Sequence, residues 1–289
     1  MTEESPALYV VPTPLGNLSD MTPRAVEVLR GVTWVACEDT RRSAPLLRHF
    51  GVSARLLAAH EHNEETAARQ VVARLREGES VALVCDAGTP AVSDPGARLV
   101  ARVREAGFPV VPLPGPCAAI TALSASGLAE PRFLFYGFLP AKAGQREAAL
   151  RGLTGMPFAS YALVFYEAPH RIVETVASLL AVFGPQRTLV LARELTKLFE
   201  TVHACPLGEA PGWLEADANR QRGEFVLIVS GEPSLPSADD EEGERVLRLL
   251  LDEGLPVKQA VKLARAITGA AKNAMYDLAL QLRENVPQE

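Results

Sequence analysis

Short apolar, β-branched runs alternate with amphipathic stretches along most of the chain. Leu8 to Val11 has the pattern of a strand, Pro23 to Gly31 that of a helix, and Thr33 to Ala36 that of the next strand. Such alternation predicts βα units and a mostly parallel sheet. A helix is predicted from Glu64 to Glu77, closed by Gly78, followed by a strand from Val81 to Cys85. Beyond Asp94-Pro95-Gly96, Leu99, Val100 and Val103 share one helical face that ends at Gly107, and a strand follows from Val110 to Leu113. Pro114-Gly115-Pro116 then leads into an Ala-rich helix from Ala118 to Ala125. The pattern restarts near Phe158 with a strand over Leu163 to Tyr166, a helix over Arg171 to Phe183, and strands over Thr188 to Ala192 and Phe225 to Val229.

The expected fold class is therefore α/β, with two α/β domains at 1–137 and 138–231. Residues 232–244, rich in Pro, Ser and acid, are expected as an exposed linker. Residues 245–289 carry three short helical segments, near Arg245 to Asp252, Val257 to Thr268 and Ala271 to Leu282. Breaks at Gly254-Leu255-Pro256 and Gly269 make this tail a small appendage of the helix-turn-helix kind.

With 289 residues, 48% hydrophobic and 22% charged, the chain can bury sizeable cores, which excludes disorder as its default state. The formal charge of −6 at first argues against a nucleic-acid partner. However, residues 232–244 hold six acids and no Lys or Arg, which equals the whole net charge. The remainder is neutral with local basic clusters, so the global charge does not exclude a polyanion. The four cysteines lie far apart in sequence, without the short spacing of a zinc or redox site. A reduced, cytoplasmic protein without a metal is expected. No run approaches the roughly 18 apolar residues of a membrane span, and Met1 to Ala7 is polar and acidic, so neither membrane insertion nor secretion is expected.

Neither a dinucleotide fingerprint nor a P-loop is present. Instead, three Pro- and Gly-dense turns follow strand ends: Val11 to Asn17, Cys85 to Pro90, and Leu113 to Cys117. In an open α/β sheet that edge receives ligands, and Gly with small residues lets a ligand approach the backbone. Each turn alone is an ordinary βα connection, but three on one edge point to a site. Glu38-Asp39-Thr40-Arg41-Arg42 also follows a strand. Its guanidinium forks suit phosphate or carboxylate and its acids suit a hydroxyl, although Asp39 or Thr40 as a helix N-cap is the ordinary alternative. His60 and His62 alternate along an extended segment, an arrangement that favours no metal.

Taken in order, these segments resemble the tetrapyrrole methylase superfamily, and within it the branch that modifies small-subunit ribosomal RNA. The segments are Leu8 to Asn17, Glu38 to Arg42, His60 to Glu64, Cys85 to Gly96, Pro114 to Leu123, Gly137 to Pro140, Tyr166-Glu167, Leu191 to Lys197 and Gly223 to Phe225. The resemblance covers Leu8 to Gly231 and extends to the tail through Leu255 to Leu263 and Ala274 to Tyr276. It implies a homodimeric enzyme that holds S-adenosylmethionine between two α/β domains. The implied reaction is methylation of the ribose 2′-oxygen of a cytidine in the decoding region, on free small-subunit RNA or on the assembled subunit. Carried over by position, the resemblance implies that Pro12, Gly88, Thr89, Val92, Cys117 and Ala118 line the cofactor from the first half. Tyr166, Glu167, Arg193, Glu224 and Phe225 close it from the second. Relatives that act on tetrapyrroles commonly have Gly-Asp-Pro where this chain has Gly88-Thr89-Pro90, which argues against transferring their substrate.

Methylating a hydroxyl requires a base, and Asp39 is the first candidate, followed by Glu38, His62 and Glu194. Arg41 and Arg42 are expected to clamp phosphate, and Lys258, Lys262 and Arg265, at i, i+4 and i+7, to present a basic helical face to RNA. The competing expectations are a tetrapyrrole methyltransferase of the same superfamily and a non-catalytic RNA-binding assembly factor.

Overall fold

The computed structural model describes residues 5–155, 158–232 and 238–269, together with 275, 278 and 279. The chain forms two compact units, Met1–Glu232 and Pro233–Glu289. In the first unit the predicted alternation takes the order β1 (Leu8–Val10), α1 (Pro23–Gly31), β2 (Trp34–Cys37), α2 (Thr40–His49), β3 (Arg55–Ala58), α3 (Glu64–Arg76), β4 (Val81–Val84), α4 (Ala97–Glu105) and β5 (Val110–Pro112). These five strands make one parallel sheet in the order β3-β2-β4-β1-β5. Side-chain alternation builds two cores from it. Leu8, Ala36, Val81 and Leu83 pack with Val71 and Leu75 of α3 and Leu99 and Val103 of α4, while Val35, Cys37, Ala82 and Val84 pack with Leu29 of α1 and Leu47 of α2. Neighbours β1 and β4 send their connections in opposite directions, to β2 and β5, which opens a crevice at their carboxyl ends.

Helix α5 (Ala118–Ser124) leaves the first sheet and packs on a second one, its small Ala119 and Ala122 lying against Val164, Val190, Val226 and Ile228. The second sheet is built from β6 (Phe133–Phe138), α6 (Ala143–Arg151), β7 (Ala162–Glu167), α7 (Ile172–Phe183), β8 (Thr188–Arg193), β9 (Thr201–Pro206), α8 (Ala210–Glu215) and β10 (Phe225–Val229), with strand order β6-β7-β10-β8-β9. Only β6 and β7 run parallel, so the expectation of a mostly parallel sheet holds for the first sheet and fails for the second. A short turn joins β8 directly to β9, and so short a connection requires antiparallel pairing. This sheet begins at Phe133, ahead of the expected division at 137/138, because Gly137 lies inside β6 where the register shifts.

One buried acid supports this frame without facing a ligand. Glu64, at the start of α3, accepts hydrogen bonds from the backbone N–H groups of Gly96 (2.9 Å), Arg98 (2.8 Å) and Leu99 (3.3 Å), and so caps α4 from a neighbouring element.

In the second unit, α9 (Ala238–Asp252) and α10 (Val257–Thr268) bury Val246, Leu247, Ala260, Val261 and Ala264 around Met275 and Ala279. The acidic segment expected as a linker to residue 244 is helical from Ala238. Acids suit a helix N-terminus, and Glu242 and Glu244 pair with Arg245 and Arg248, each at 2.6 Å, one turn on. Of the helix expected over Ala271 to Leu282, all but 275, 278 and 279 lie outside the described residues. Among the described residues no helix is long and apolar enough to cross a membrane, and no cluster of His, Cys, Asp and Glu could hold a metal ion.

Candidate active site

The parallel sheet brings the ends of β1, β4 and β5 to one edge, and hydrogen bonds tie the three following loops together. Thr13 and Gly88 exchange backbone bonds (2.8 and 2.9 Å), the Thr13 hydroxyl donates to the Cys85 carbonyl (3.0 Å), and the Thr89 hydroxyl donates to the Pro116 carbonyl (2.8 Å). Gly88 has φ +83, a left-handed conformation that glycine adopts without strain. Pro12 is buried beneath this platform, its ring against Gly115, where a Cβ would come within 2.8 Å of it.

A cavity of about 630 Å³ lies over the platform and is closed by the second sheet. Leu15, Gly88, Thr89, Val92, Cys117 and Ala118 line it from one side, and Phe138, Tyr166, Glu167, Leu195, Glu224 and Phe225 from the other. The Tyr166 hydroxyl accepts from the Ala119 N–H (3.1 Å), which links β7 to α5, and burial pushes that hydroxyl's pKa up. Glu167 is buried and accepts from the Ala168 N–H (2.8 Å) and the Thr175 hydroxyl (2.5 Å), with the Arg171 guanidinium at 3.3 Å. Its carboxylate therefore shapes the wall instead of offering a free oxygen.

The turn between β8 and β9 clasps the first loop. Asn17 N–H donates to the Thr196 hydroxyl (3.1 Å), and a Cβ at Gly16 would collide with the Lys197 stem. The Lys197 ammonium, at the cavity rim, bridges Glu194 (2.9 Å) and Glu224 (2.7 Å). Burial raises the Glu194 pKa, but the Glu224 N–H and Lys197 outweigh it and hold the carboxyl below its ordinary value. Arg193 donates to the carbonyls of Asn219, Arg222 and Phe199, so it ties loops together and is not part of the lining. Among the described residues, four non-glycine residues have left-handed backbones: Ala91, Ser93, Glu194 and Thr196. All four lie on the two loops that flank the cleft, where such strain persists only under tight surrounding constraint.

Glu38, Asp86 and Asp94 face the same cavity. Arg42 pairs with one Asp86 oxygen (3.0 Å), and the other, Oδ1, is buried with no hydrogen-bond partner among the described residues. Burial pushes the Glu38 carboxyl up, reinforced by the negative charges of Asp86 and Asp94. Asp94 is raised in the same way, first by burial. Asp39 has the opposite environment. It caps α2 by accepting from the Arg41 N–H (2.9 Å) and binds the Arg41 guanidinium through both oxygens (3.1 and 2.8 Å). That bidentate hydrogen bonding holds its carboxyl down at about 2.

Of the base candidates, Glu38 alone lines the large cavity; Asp39 and Arg41 line a smaller hollow beside it, together with His60. His62 lines neither, and its ring meets the His60 ring edge-on at 6.1 Å. Lys258, Lys262 and Arg265 are exposed along α10 in the second unit. The sequence reading passed over Asp86, Asp94 and Lys197 as site residues. The two aspartates were visible as acids flanking the Gly88 turn, whereas the position of Lys197 depends on the β8–β9 turn.

The chain matches the family model described as Tetrapyrrole (Corrin/Porphyrin) Methylases over residues 7–211 and the model described as RsmI C-terminal HTH domain over residues 237–283. It is 52% identical to "Ribosomal RNA small subunit methyltransferase I" of Escherichia coli O157:H7, over 95% of this chain and 94% of that one. The protein of that name from Pseudomonas aeruginosa is 51% identical, over 95% of this chain and 96% of its own length. Among solved structures, uroporphyrin-III-C-methyltransferase from Thermus thermophilus superposes with a TM-score of 0.55 at 24% identity, covering 78% of this chain and 94% of that one, a likeness of fold.

Proposed function

The chain belongs to the tetrapyrrole (corrin/porphyrin) methylase family, in the branch of the ribosomal RNA small subunit methyltransferases I, and on that premise we propose that it methylates the 2′-oxygen of a cytidine ribose in the decoding region of small-subunit ribosomal RNA, with S-adenosylmethionine as donor. One observation carries the proposal: a chain half identical to those relatives along nearly its whole length places three carboxylates beside a Gly-rich backbone platform in a single cavity.

The residues fit the donor. Leu15, Val92, Phe138 and Leu195 offer apolar surface, the loops around Gly88 and Cys117 expose backbone, and the unsatisfied Asp86 Oδ1 suits a cationic or hydrogen-bonding group. When bound, S-adenosylmethionine supplies a methyl group on a sulfonium. The platform and the second sheet hold the reactants between them and fix the geometry of approach; such positioning is worth up to about 7–11 kcal/mol of barrier. Glu38 accepts the proton of the attacking hydroxyl. Its carboxyl lies in the cavity, and its raised pKa makes it a stronger base than an ordinary surface glutamate. Asp39, the first candidate by sequence, is too weak a base and too fully engaged by Arg41 for that role, and serves α2 instead.

A homodimer belongs to the same proposal. Leu198 (89% exposed) and Phe199 (66%) at the β8–β9 turn, and Phe133 and Tyr136 of β6, leave apolar surface that a second copy would bury. Sedimentation of the intact chain tests this, with a monomer at micromolar concentration as the contrary result.

The test of activity uses labelled S-adenosylmethionine and small subunits from cells lacking this methylation. The expected product is label in RNA that digests to 2′-O-methylcytidine. Label on a base would refute the ribose assignment, and cofactor binding without transfer would support the non-catalytic assembly factor.

A further inference from the structure

Beside the large cavity lies a second hollow of about 450 Å³, and the two share Glu38, Arg42 and Asp86. Its remaining wall is Asp39, Thr40, Arg41, Ala58 and His60. We infer that this hollow receives the acceptor nucleotide of an RNA strand, with a phosphate on Arg41 and the ribose at the wall shared with the larger cavity. The inference rests on the methyl transfer proposed above and adds to it the place where the acceptor binds.

Position supports this first. The proton acceptor Glu38 stands in the shared wall, so a ribose there meets the carboxylate from one cavity and the methyl donor from the other. Access supports it as well. Ala58 is the exposed last residue of β3, the edge strand of the sheet, so a polymer can pass outside while one nucleotide turns in.

The charges are compatible with a phosphate despite the acids nearby. Of the three acids in the hollow, Asp39 is paired with Arg41 and Asp86 with Arg42, and the third, Glu38, is the proton acceptor at the wall shared with the larger cavity. Asp39 engages Nε and Nη2 of Arg41, and Nη1 makes no hydrogen bond among the described residues. The Arg41 side chain is 88% exposed, so its unused N–H groups are accessible to a phosphate oxygen. His60 contributes an imidazole ring to the wall, a flat surface of the kind on which an unpaired base stacks.

The test measures equilibrium binding of unmethylated small subunits to the full-length wild type, Arg41→Ala and Ala58→Trp, without cofactor and over a range of salt concentrations. Cofactor affinity and thermal midpoint are measured in parallel. Arg41→Ala is expected to bind subunits about tenfold more weakly, with a log–log salt slope shallower by about one, as the loss of one phosphate contact requires. Ala58→Trp fills the hollow and is expected to weaken binding about tenfold with the slope unchanged, while both variants retain cofactor affinity. Arg41→Lys keeps the charge and is expected to restore the slope. Wild-type subunit affinity and slope in both Arg41→Ala and Ala58→Trp overturn the inference. Failure of the wild type to methylate subunits instead overturns the reaction on which it rests.

Discussion

Glu38 and Asp39 are adjacent acids leaving one strand, yet their surroundings drive them apart. Arg41 holds the Asp39 carboxyl at about 2, while burial beside two other carboxylates raises that of Glu38. For Glu38→Gln we expect the single-turnover rate to fall by about 10²–10⁴-fold, the usual contribution of a positioned base. Asp39→Asn is expected to keep the chemical step near wild type and to lose thermal stability through its weakened cap. With Glu38 proposed to act as the carboxylate, the wild-type rate should climb with pH along a limb lying above the ordinary glutamate range, and stopped-time assays across pH 4–8 locate that limb. A full loss of rate in Asp39→Asn, with Glu38→Gln active, would falsify the assignment. The same shift affects stability. A raised carboxyl pKa means that folding favours the neutral form, so its stabilising contribution is present below the unfolded pKa and is lost as pH rises through the folded one. Glu38→Gln should therefore raise the thermal midpoint at neutral pH and leave it unchanged in acid, a gain in stability at the expense of function.

Elements, in turn, depend on residues that sequence patterns assign to the surface. Glu64 opens α3 like any solvated acid of a first turn, yet it is 7% exposed and receives three N–H groups from the start of α4. Glu64→Ala leaves those donors buried without an acceptor and should cost about 1–3 kcal/mol in urea unfolding, with Glu64→Gln recovering part of the loss. Only the fold brings α4 across Glu64, so no periodicity in the chain could reveal this role. The reverse holds for the strand-end loops. Thr13, Gly88 and Pro116 follow β-branched runs in Gly- and Pro-dense stretches, a composition that by itself picks out this edge as the candidate site. Edge strands were less legible. Thr201–Pro206 buries only Cys205 and is interrupted by His203, so it lacks the apolar run that marks the central Val81–Val84, while Arg55–Ala58 has the apolar residues Leu56, Leu57 and Ala58 but buries only Leu57. Choosing among the acids was also beyond the sequence, because the difference between Asp39 and Glu38 is which one an arginine reaches and which one the sheets enclose.

At the scale of the whole molecule, net charge is a poor guide to partners because its sign depends on where the acids lie. The acids from Asp239 to Glu244 sit on α9, and those at 242 and 244 are already paired with arginines of the same helix. Helix α10 buries Ala260, Val261 and Ala264 and exposes Lys258, Lys262 and Arg265, so its basic stripe is separated from its apolar one. Each cation that neutralises an RNA phosphate adds about 0.7–0.9 to the log–log salt dependence of binding, because one counterion equivalent is released. Replacing Lys258, Lys262 and Arg265 together by Glu should therefore flatten the salt dependence of small-subunit binding by about two to three units. Cofactor affinity should stay unchanged, since its cavity is lined entirely by residues of the first unit. Replacement by Gln should give most of the flattening without the added repulsion, so the two variants separate lost contacts from new unfavourable ones. If α10 serves only to pack its own unit, both variants will keep the wild-type slope, and of the phosphate contacts argued above only that of Arg41 remains.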